Sequence, residues 1–177
     1  YKIKRLIFST YQSVSGSGMK GVKDLLKTRH GFSGSYYPFN VANTIIPEIG
    51  EILENGYTDE EMKMVNETRK ILESDIRISA TCVRVPTENC HGVTVEAETD
   101  EKIEVEEVKN LMKFKGVKLS ETPNFEEADG KDDIFVGRIR KSRVFDRGFS
   151  YFAVGDNTRK GASLNAVEIA EFLASAT

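Results

Sequence analysis

The sequence predicts a single domain of the α+β class, with helices packed on one face of a mixed, mainly antiparallel sheet. Its 177 residues suit one ordinary domain, and 39% hydrophobic with 30% charged residues suits a folded core. Segments with strand-like alternation cluster together instead of alternating strictly with helices. The amphipathic segments between them carry apolar residues at helical spacing, so we expect helices there.

The first quarter of the chain predicts a strand, a helix and an irregular connection. Residues 2–10 alternate and are rich in Ile, Leu and Phe, which is typical of a strand. The Ser/Gly-rich stretch 15–18 interrupts it. Residues 19–29 then carry apolar residues at helical spacing, with Gly31 as the expected stop. Residues 41–53 are apolar but contain a proline, so we expect an irregular segment or a short helix.

The middle of the chain opens with a recognisable helix start. Thr58 with Glu61 three residues later forms a capping box, which predicts a helix over 59–73. Residues 77–85 and 92–98 alternate and are rich in β-branched side chains. We expect them to be consecutive strands that pair antiparallel, with 86–90 as the connecting loop.

The last third predicts two more helices and two more strands. Residues 105–114 and 163–174 are amphipathic, and residues 134–140 and 149–155 have strand-like alternation. The predicted helices are too few to cover both faces of the sheet. We therefore expect an uncovered, partly apolar face that pairs with a second copy of the chain.

Charge and composition exclude several classes of protein. The net charge of −3 offers no basic surplus for phosphate contacts, which argues against nucleic-acid binding. No apolar run approaches the length of a membrane span. Cys82 and Cys90 make no disulfide framework, so a reducing cytoplasm is expected. Two histidines and two cysteines without paired ligand spacing make a metal site unexpected.

Two polar stretches precede the predicted central strands. Residues 9–18 run from a strand through a Ser/Gly turn into a helix, which suits either an anion or a simple capped turn. Lys63, Glu67 and Lys70 form a stripe along the capped helix at i, i+3 and i+4 spacing. Taken alone, both patterns favour the structural alternative, a turn and a solvated salt-bridge stripe.

Two further polar stretches lie at strand ends. Arg84 ends one strand and His91 begins the next, which would place a carboxylate-gripping guanidinium near a group that titrates close to neutral pH. An edge arginine and a loop histidine explain the pattern equally well. Residues 156–167 form a polar, basic turn after a predicted strand. This pattern is compatible with a cofactor contact and equally with the capped start of a helix.

The adjacent Cys90 and His91 are not expected to form a catalytic dyad. Neighbouring residues of a strand point to opposite faces, so the thiol and the imidazole would diverge. Cys82 lies within a predicted strand and is expected to be core.

Four blocks taken together resemble the aspartate-semialdehyde dehydrogenase family. They cover most of the chain in order: STYQSVSGSG, KMVNETRKIL, ATCVRVPTENCH and VGRIRKSRVFDRGFSYFAVGDNTRKGASLNAVEIAEFL. The resemblance implies a fold like the C-terminal domain of glyceraldehyde-3-phosphate dehydrogenase. It also implies that residues 1–177 are one catalytic and dimerisation domain of a larger two-domain chain.

The resemblance implies a substrate site. Gln12 would contact the substrate during catalysis, and Arg84 would hold its α-carboxylate. Glu67 would meet the substrate amino group and Lys70 its phosphate. His91 would be the general acid and base. We expect these five side chains to converge on one pocket.

The resemblance also implies NADP as cofactor, with Ser15, Gly16 and Asn157 lying against it. Two positions depart from the family pattern. Cys90 stands where glycine is usual, and Ser142 stands where an acidic residue is common. The glycine-rich dinucleotide fingerprint and the nucleophilic cysteine are not found, so we expect them upstream of Tyr1 and expect the 177 residues alone to be inactive.

The implied reaction is the NADPH-dependent reduction of β-aspartyl phosphate to aspartate semialdehyde through a cysteine thioester, in the synthesis of lysine, methionine and threonine. Alternatives within the superfamily are an N-acetyl-glutamyl-phosphate reductase and a malonyl-CoA reductase. Glu67 argues against the former, because an acetylated amine needs no carboxylate partner. The alternative from another class is a non-catalytic dimerisation module.

Overall fold

The computed structural model describes residues 1–175, so the last two residues of the predicted domain 1–177 lie outside it. Within the described residues, six strands form one sheet in the order β2-β1-β3-β6-β5-β4. The strands are β1 (Ile3–Gln12), β2 (Arg77–Arg84), β3 (His91–Thr99), β4 (Val117–Leu119), β5 (Ile134–Lys141) and β6 (Gly148–Gly155). The α-helices are α1 (Gly18–Arg29), α2 (Asp59–Ile71), α3 (Val105–Leu111), α4 (Phe125–Ala128) and α5 (Leu164–Ser175).

The sheet is mixed and mainly antiparallel, as the sequence predicts. Strand β3 pairs antiparallel with β1 and β6, and β6 pairs antiparallel with β5. The two outer pairs, β1 with β2 and β4 with β5, are parallel. Parallel neighbours need a crossover connection, and the segment containing α1 and α2 supplies it between β1 and β2.

The sequence predicts that segments 77–85 and 92–98 pair antiparallel with each other, and this prediction is wrong. Strand β1 lies between β2 and β3 and bonds to both, so the connection 85–90 crosses the end of β1. The backbone N–H of Val85 donates to the carbonyl of Gln12 at 2.9 Å, and that of Val14 donates to the carbonyl of Thr87 at 3.0 Å. Two strand spacings are only about 10 Å, which a six-residue loop spans easily.

One face of the sheet carries the main core. Leu6 and Phe8 of β1 and Val95 and Ala97 of β3 pack there with Val108 of α3, and Met64 of α2 adds to the cluster. Helices α2 and α3 therefore lie on one face, as predicted. The opposite face holds the short helix α4 at one end, where Phe125 packs with Phe135 and Phe152.

A second small cluster closes one end of the sheet, where β1 leads through a 3-10 turn (Val14–Ser17) into α1. Its buried members are Val14, Val22, Leu25, Val41 and Ile46. The predicted irregular segment 41–53 is confirmed: it contains a 3-10 turn (Val41–Asn43) and isolated bridges at Ile46 and Ile52.

The predicted elements match the structure with small shifts at their ends, while β4 and α4 are too short to give a sequence signal. The capping box is present: Glu61 N–H donates to Thr58 Oγ1 at 3.2 Å, and Thr58 N–H donates to the Glu61 carboxylate at 2.9 Å. Helix α5 differs from an ordinary amphipathic helix, because its large apolar side chains, such as Phe172, are exposed. No helix in residues 1–175 is long and apolar enough to cross a bilayer.

Candidate functional site

Three of the predicted site residues stand in one row across the sheet. Gln12, the last residue of β1, is in register with Arg84 on β2 and with His91 on β3. Residues in register on adjacent strands point to the same face, so the three side chains project together. Gln12 and Arg84 are buried and His91 is half-buried. The predicted closeness of Arg84 and His91 is therefore present, although β1 separates their strands.

Arg84 is a buried cation without a carboxylate in contact. Its side chain is 5% exposed, and within residues 1–175 no salt bridge involves it. Its Nη1 donates to the carbonyl of Ser13 at 2.5 Å. Burial lowers the pKa of Arg84, while the nearby Tyr37 and Glu60 raise it. A buried guanidinium with unused donors favours binding of an anionic group.

His91 presents one ring nitrogen to the protein and the other to open space. Its Nδ1 lies 2.9 Å from the backbone carbonyl of Cys90. A Cβ atom added at Gly16 would lie 3.0 Å from His91 Nε2 and 3.3 Å from Arg84 Nη1. Burial holds the pKa of His91 below its usual range, the hydrogen bond to Cys90 opposes this, and Arg84 adds to the lowering. The ring is therefore neutral near pH 7, with Nε2 able to exchange a proton.

The first two turns of α2 contribute acidic and basic side chains to the site. The Gln12 amide donates to the Glu60 carboxylate at 3.3 Å, and Lys63 Nζ donates to Glu60 at 3.0 Å. Glu61 fixes this end of the helix on β2, because its carboxylate accepts from the backbone N–H of Cys82 at 3.0 Å. Strand β2 is at the sheet edge, so that N–H would otherwise lack a partner in the sheet.

The structure does not bring Glu67 and Lys70 into this site. Both side chains are exposed. The neighbouring Arg69 donates from Nε to the carbonyl of Ile76, just before β2 begins, whereas Arg84 ends that strand. Eight residues of strand separate the two ends by about 23 Å. The predicted convergence of Glu67 and Lys70 with Arg84 is wrong, and the equally spaced pair Glu60 and Lys63 lies there instead.

Gly16 and Asn157, two of the three residues expected to contact a cofactor, line a cavity beside His91. The cavity measures about 440 Å³, and its lining includes Gly16, His91, Gly155, Asn157 and Lys160. The Asn157 amide donates to Ser15 Oγ at 3.0 Å, so these two predicted residues are in contact. Because a side chain at Gly16 would crowd the imidazole, the backbone there leaves room for a flat group.

A buried carboxylate orders the loop that follows α1. Asp24 is 2% exposed and accepts from the backbone N–H groups of Ser35, Tyr36 and Tyr37 at 2.5, 3.0 and 3.3 Å. Burial raises the pKa of Asp24, but these hydrogen bonds outweigh it, so the pKa lies below its usual value. The Tyr37 hydroxyl donates to Ser17 Oγ at 2.9 Å, which joins this loop to the turn beside the site.

Neither cysteine is placed to act as a nucleophile. Cys90 packs with Phe125 on the face opposite His91, as strand alternation predicts. Burial raises the pKa of Cys90 to about 12 and that of Cys82 to about 11. Cys90 has φ +73°, a left-handed conformation that explains why a glycine would suit this position. In the described part of the chain no cluster of His, Cys, Asp and Glu could hold a metal ion.

The second departure, Ser142, has a local structural explanation. Its Oγ accepts from the backbone N–H groups of Val144 and Phe145 at 3.0 and 2.9 Å. This is a serine turn between β5 and β6, and an acidic side chain could accept the same two bonds.

A family model described as the semialdehyde dehydrogenase dimerisation domain matches residues 1–160. The chain belongs to this family. Its relatives include the aspartate-semialdehyde dehydrogenase of Aquifex aeolicus, 42% identical over 186 residues, which cover 97% of this chain and 55% of the relative. The enzyme of the same name from Bacillus subtilis is 40% identical, over 98% of this chain and 56% of the relative.

Solved structures of the family share the fold. Aspartate semialdehyde dehydrogenase II from Vibrio cholerae, complexed with ASA, superposes with a TM-score of 0.92 at 38% identity, over 98% of this chain and 55% of that one. The mixed α+β sheet is therefore the fold of this dimerisation-domain family. The chain spans about half the length of the curated relatives that it matches.

Sequence reasoning missed several side chains that the fold brings to the site, among them Glu60, Ser13 and Asn89. For Glu60 a signal existed, because the first turn of a capped helix lies near a strand end in a helix–strand layer. Ser13 and Asn89 gave none, since ordinary turn residues acquire their contacts only from the crossing loop.

Proposed function

We propose that this chain is the substrate-binding and dimerisation part of an NADP-dependent aspartate-semialdehyde dehydrogenase. The single observation that carries the proposal is the row formed by Arg84, Gln12 and His91. A buried guanidinium without an acidic partner, beside a neutral imidazole, suits an anionic substrate that undergoes proton transfer. The family match and the relatives named above support the same activity.

The proposed substrate, β-aspartyl phosphate, has a carboxylate, an ammonium group and a phosphate. Arg84 would bind the α-carboxylate through the donors that Ser13 leaves free. Glu60 would bind the ammonium group and Lys63 the phosphate, in place of the predicted Glu67 and Lys70. Gln12, which already bonds to Glu60, would hold the reacting part between them. Fixing several charged groups at once supplies the positioning that catalysis needs.

Ser15, Gly16 and Asn157 would hold the nicotinamide end of NADP. The space that a Cβ at Gly16 would fill supports this assignment, since a flat ring needs close approach to the backbone. The cofactor, when bound, supplies the hydride that reduces the acyl group. The rest of the nucleotide would be held by the upstream domain that the family resemblance implies.

His91 would move the proton at Nε2. In the proposed reaction a cysteine thiolate outside these 177 residues attacks the acyl phosphate, and phosphate leaves to give a thioester. After reduction, collapse to the aldehyde releases the thiolate. A neutral His91 accepts and returns the proton of the reacting oxygen, which its lowered pKa permits near pH 7.

Full-length protein tests the proposal. Aspartate semialdehyde, phosphate and NADP should give NADPH, measured by the absorbance of the reduced nicotinamide ring. Malonyl-CoA with NADPH is the competing assay, because a malonyl-CoA reductase shares the superfamily chemistry but presents no ammonium group to Glu60. Turnover of malonyl-CoA alone, or no turnover of either substrate, would contradict the proposal.

The 177 residues alone should be inactive. Cys82 and Cys90 are buried with raised pKa values, so neither can supply the thiolate. The few contacts around Gly16 would not offset the entropy lost by binding a large, flexible cofactor. Turnover by the fragment that disappears in Cys90→Ser would show that the nucleophile is misassigned.

The uncovered sheet face would form a homodimer. Ile7 and Tyr11 of β1 are 41% and 39% exposed there, and Tyr11 contacts Phe152 with ring centroids 6.0 Å apart. Sedimentation of the full-length protein at micromolar concentration should give a dimer. Ile7→Glu, which places a charge on this face, should shift it toward monomer, and a wild-type monomer would contradict the assignment.

A further inference from the structure

We propose that Asn89, Ser15 and Ser13 form a one-directional chain of hydrogen bonds that keeps the proton of the neutral His91 ring on Nδ1. The chain would leave Nε2 unprotonated toward the cavity. The inference rests on the acid and base role proposed for His91 and adds three positioning residues to it. Each link is fixed by which atoms can donate and which can only accept.

The chain begins at two carboxylates that fix the orientation of the Asn89 amide. Asn89 Nδ2 donates to Asp129 Oδ1 at 2.7 Å and to Asp156 Oδ2 at 2.9 Å. Asp156 is buried; burial raises its pKa, but hydrogen bonds from Thr158 and others lower it overall, so it stays ionised. Both carboxylates can only accept, so Asn89 must present its NH₂ group to them and its carbonyl Oδ1 to the other side.

The second link passes through Ser15. Its Oγ lies 3.2 Å from Asn89 Oδ1 and 3.1 Å from Asn157 Oδ1, and neither carbonyl oxygen can donate. Ser15 therefore gives its single hydroxyl proton to one of these two carbonyl oxygens. Its oxygen is left to accept, and it faces Asn157 Nδ2 at 3.0 Å and Ser13 Oγ at 2.9 Å. Of the two serines, Ser13 must be the donor in that contact.

The third link reaches the imidazole. The hydroxyl proton of Ser13 points to Ser15, or to Asn157 Oδ1 at 3.4 Å, so in either case a lone pair of Ser13 Oγ faces His91 Nδ1 at 3.2 Å. The carbonyl of Cys90, also an acceptor, lies 2.9 Å from the same nitrogen. Two acceptors around Nδ1 favour a proton there. The backbone N–H of Ser13 opposes this at 3.3 Å, but it lies equally close to the Cys90 carbonyl and is satisfied by it.

The consequence is a fixed tautomer at a fixed orientation. With the proton on Nδ1, the lone pair of Nε2 points toward Gly16 and the cavity. His91 can accept a proton from the substrate near neutral pH only if Nε2 carries a lone pair. The other tautomer carries a proton on Nε2 and would donate to the substrate instead. Ser13 is fully buried and Asn89 half-buried, so solvent cannot readily replace either link.

The test uses full-length protein labelled with ¹⁵N-histidine, with the His91 signals assigned by their loss in His91→Gln. Above the titration of the ring, Nδ1 should give the signal of a protonated nitrogen and Nε2 that of an unprotonated one. Ser13→Ala and Asn89→Ala should mix the tautomers and lower kcat about tenfold at unchanged KM, a part of what a general acid or base supplies. Asn110→Ala is the matched control, because its exposed amide contacts Lys113 only.

A wild-type ring protonated on Nε2 would overturn the inference, as would an unchanged tautomer in both variants. If Asn89→Ala fails to fold, the tautomer of His91 in Ser13→Ala tests the inference alone, because that variant lacks only one oxygen atom. The tautomer is measured whatever reaction the protein catalyses. Absence of dehydrogenase activity with the Nδ1 tautomer intact would therefore count against the proposed function and not against the chain.

Discussion

The side-chain amide of Gln12 and the carboxylate of Glu60 are joined by a 3.3 Å hydrogen bond across the gap between β1 and α2. This contact shows which turn of the helix faces the row of Arg84, Gln12 and His91. An α-helix rises 1.5 Å per residue, so Glu67 lies about 10 Å further along the axis than Glu60. Two Glu-x-x-Lys pairs with equal spacing occur on one helix, and only packing distinguishes them.

Replacing each glutamate separately should therefore give different results. In full-length protein, Glu60→Gln removes the charge beside Gln12, and kcat/KM should fall about 10–100-fold, the range for a lost hydrogen bond to a charged group. Glu67→Gln, at an exposed position of the same helix, is the matched control and should stay within about twofold of wild type. Steady-state kinetics with aspartate semialdehyde measure both, and a larger loss in Glu67→Gln would reverse the assignment.

Arg84→Lys should weaken substrate binding more than it slows turnover. Lysine keeps the charge but cannot reproduce the planar fork that grips a carboxylate while also bonding to Ser13. KM should rise about tenfold or more, with a smaller change in kcat. Arg77→Lys, at the exposed first position of the same strand, controls for the chemical change. An unchanged KM in Arg84→Lys would remove this residue from the substrate site.

Asp24→Asn should destabilise the fold at neutral pH by about 1–3 kcal/mol, because the amide offers one acceptor oxygen in place of a carboxylate that takes three backbone N–H groups. The pKa of Asp24 is lower in the folded state than its usual value. Its stabilisation is therefore fully present above the unfolded value of about 3.9 and is lost as the pH falls through the lower folded value.

Chemical denaturation between neutral and acid pH would measure this difference. The gap between wild type and Asp24→Asn should be constant from neutral pH to about pH 5 and should close below about pH 4. Asp146→Asn, at an exposed site, should show no comparable gap. A gap that widens in acid would mean that the carboxylate is not held ionised by the loop.

Cys82 and Cys90 should resist alkylation while the protein is folded. Both thiols are buried, and burial raises their pKa values to about 11 and about 12, so little thiolate exists at pH 8. Iodoacetamide treatment followed by peptide mass spectrometry should show both unmodified under native conditions and labelled in denaturant. Rapid native labelling of Cys90 would contradict its placement against Phe125.

The sequence predicts the elements of this fold better than it predicts their pairing. Alternation and the Thr58–Glu61 capping box locate the longer strands and α2 because these signals are local. The insertion of β1 between β2 and β3 leaves no local trace, since either topology places Arg84 and His91 at the same end of the sheet. The candidate site also combines residues that local signals predict with residues that only packing brings there. Gln12 and His91 lie at predicted strand ends, whereas the presence of Glu60 in the site depends on the position at which α2 packs along β2.

The row of Arg84, Gln12 and His91 also sets a scale for the chemistry. Adjacent strands lie about 4.8 Å apart, so the outer two side chains begin about 9.6 Å from each other whatever their rotamers. The hydrogen-bonded backbone thus fixes the distance that a small ligand must span between Arg84 and His91. Substitutions can exchange the side chains at the two ends of this row, but they cannot change the strand spacing, and a slip of one strand by one residue would turn that strand's group to the other face of the sheet.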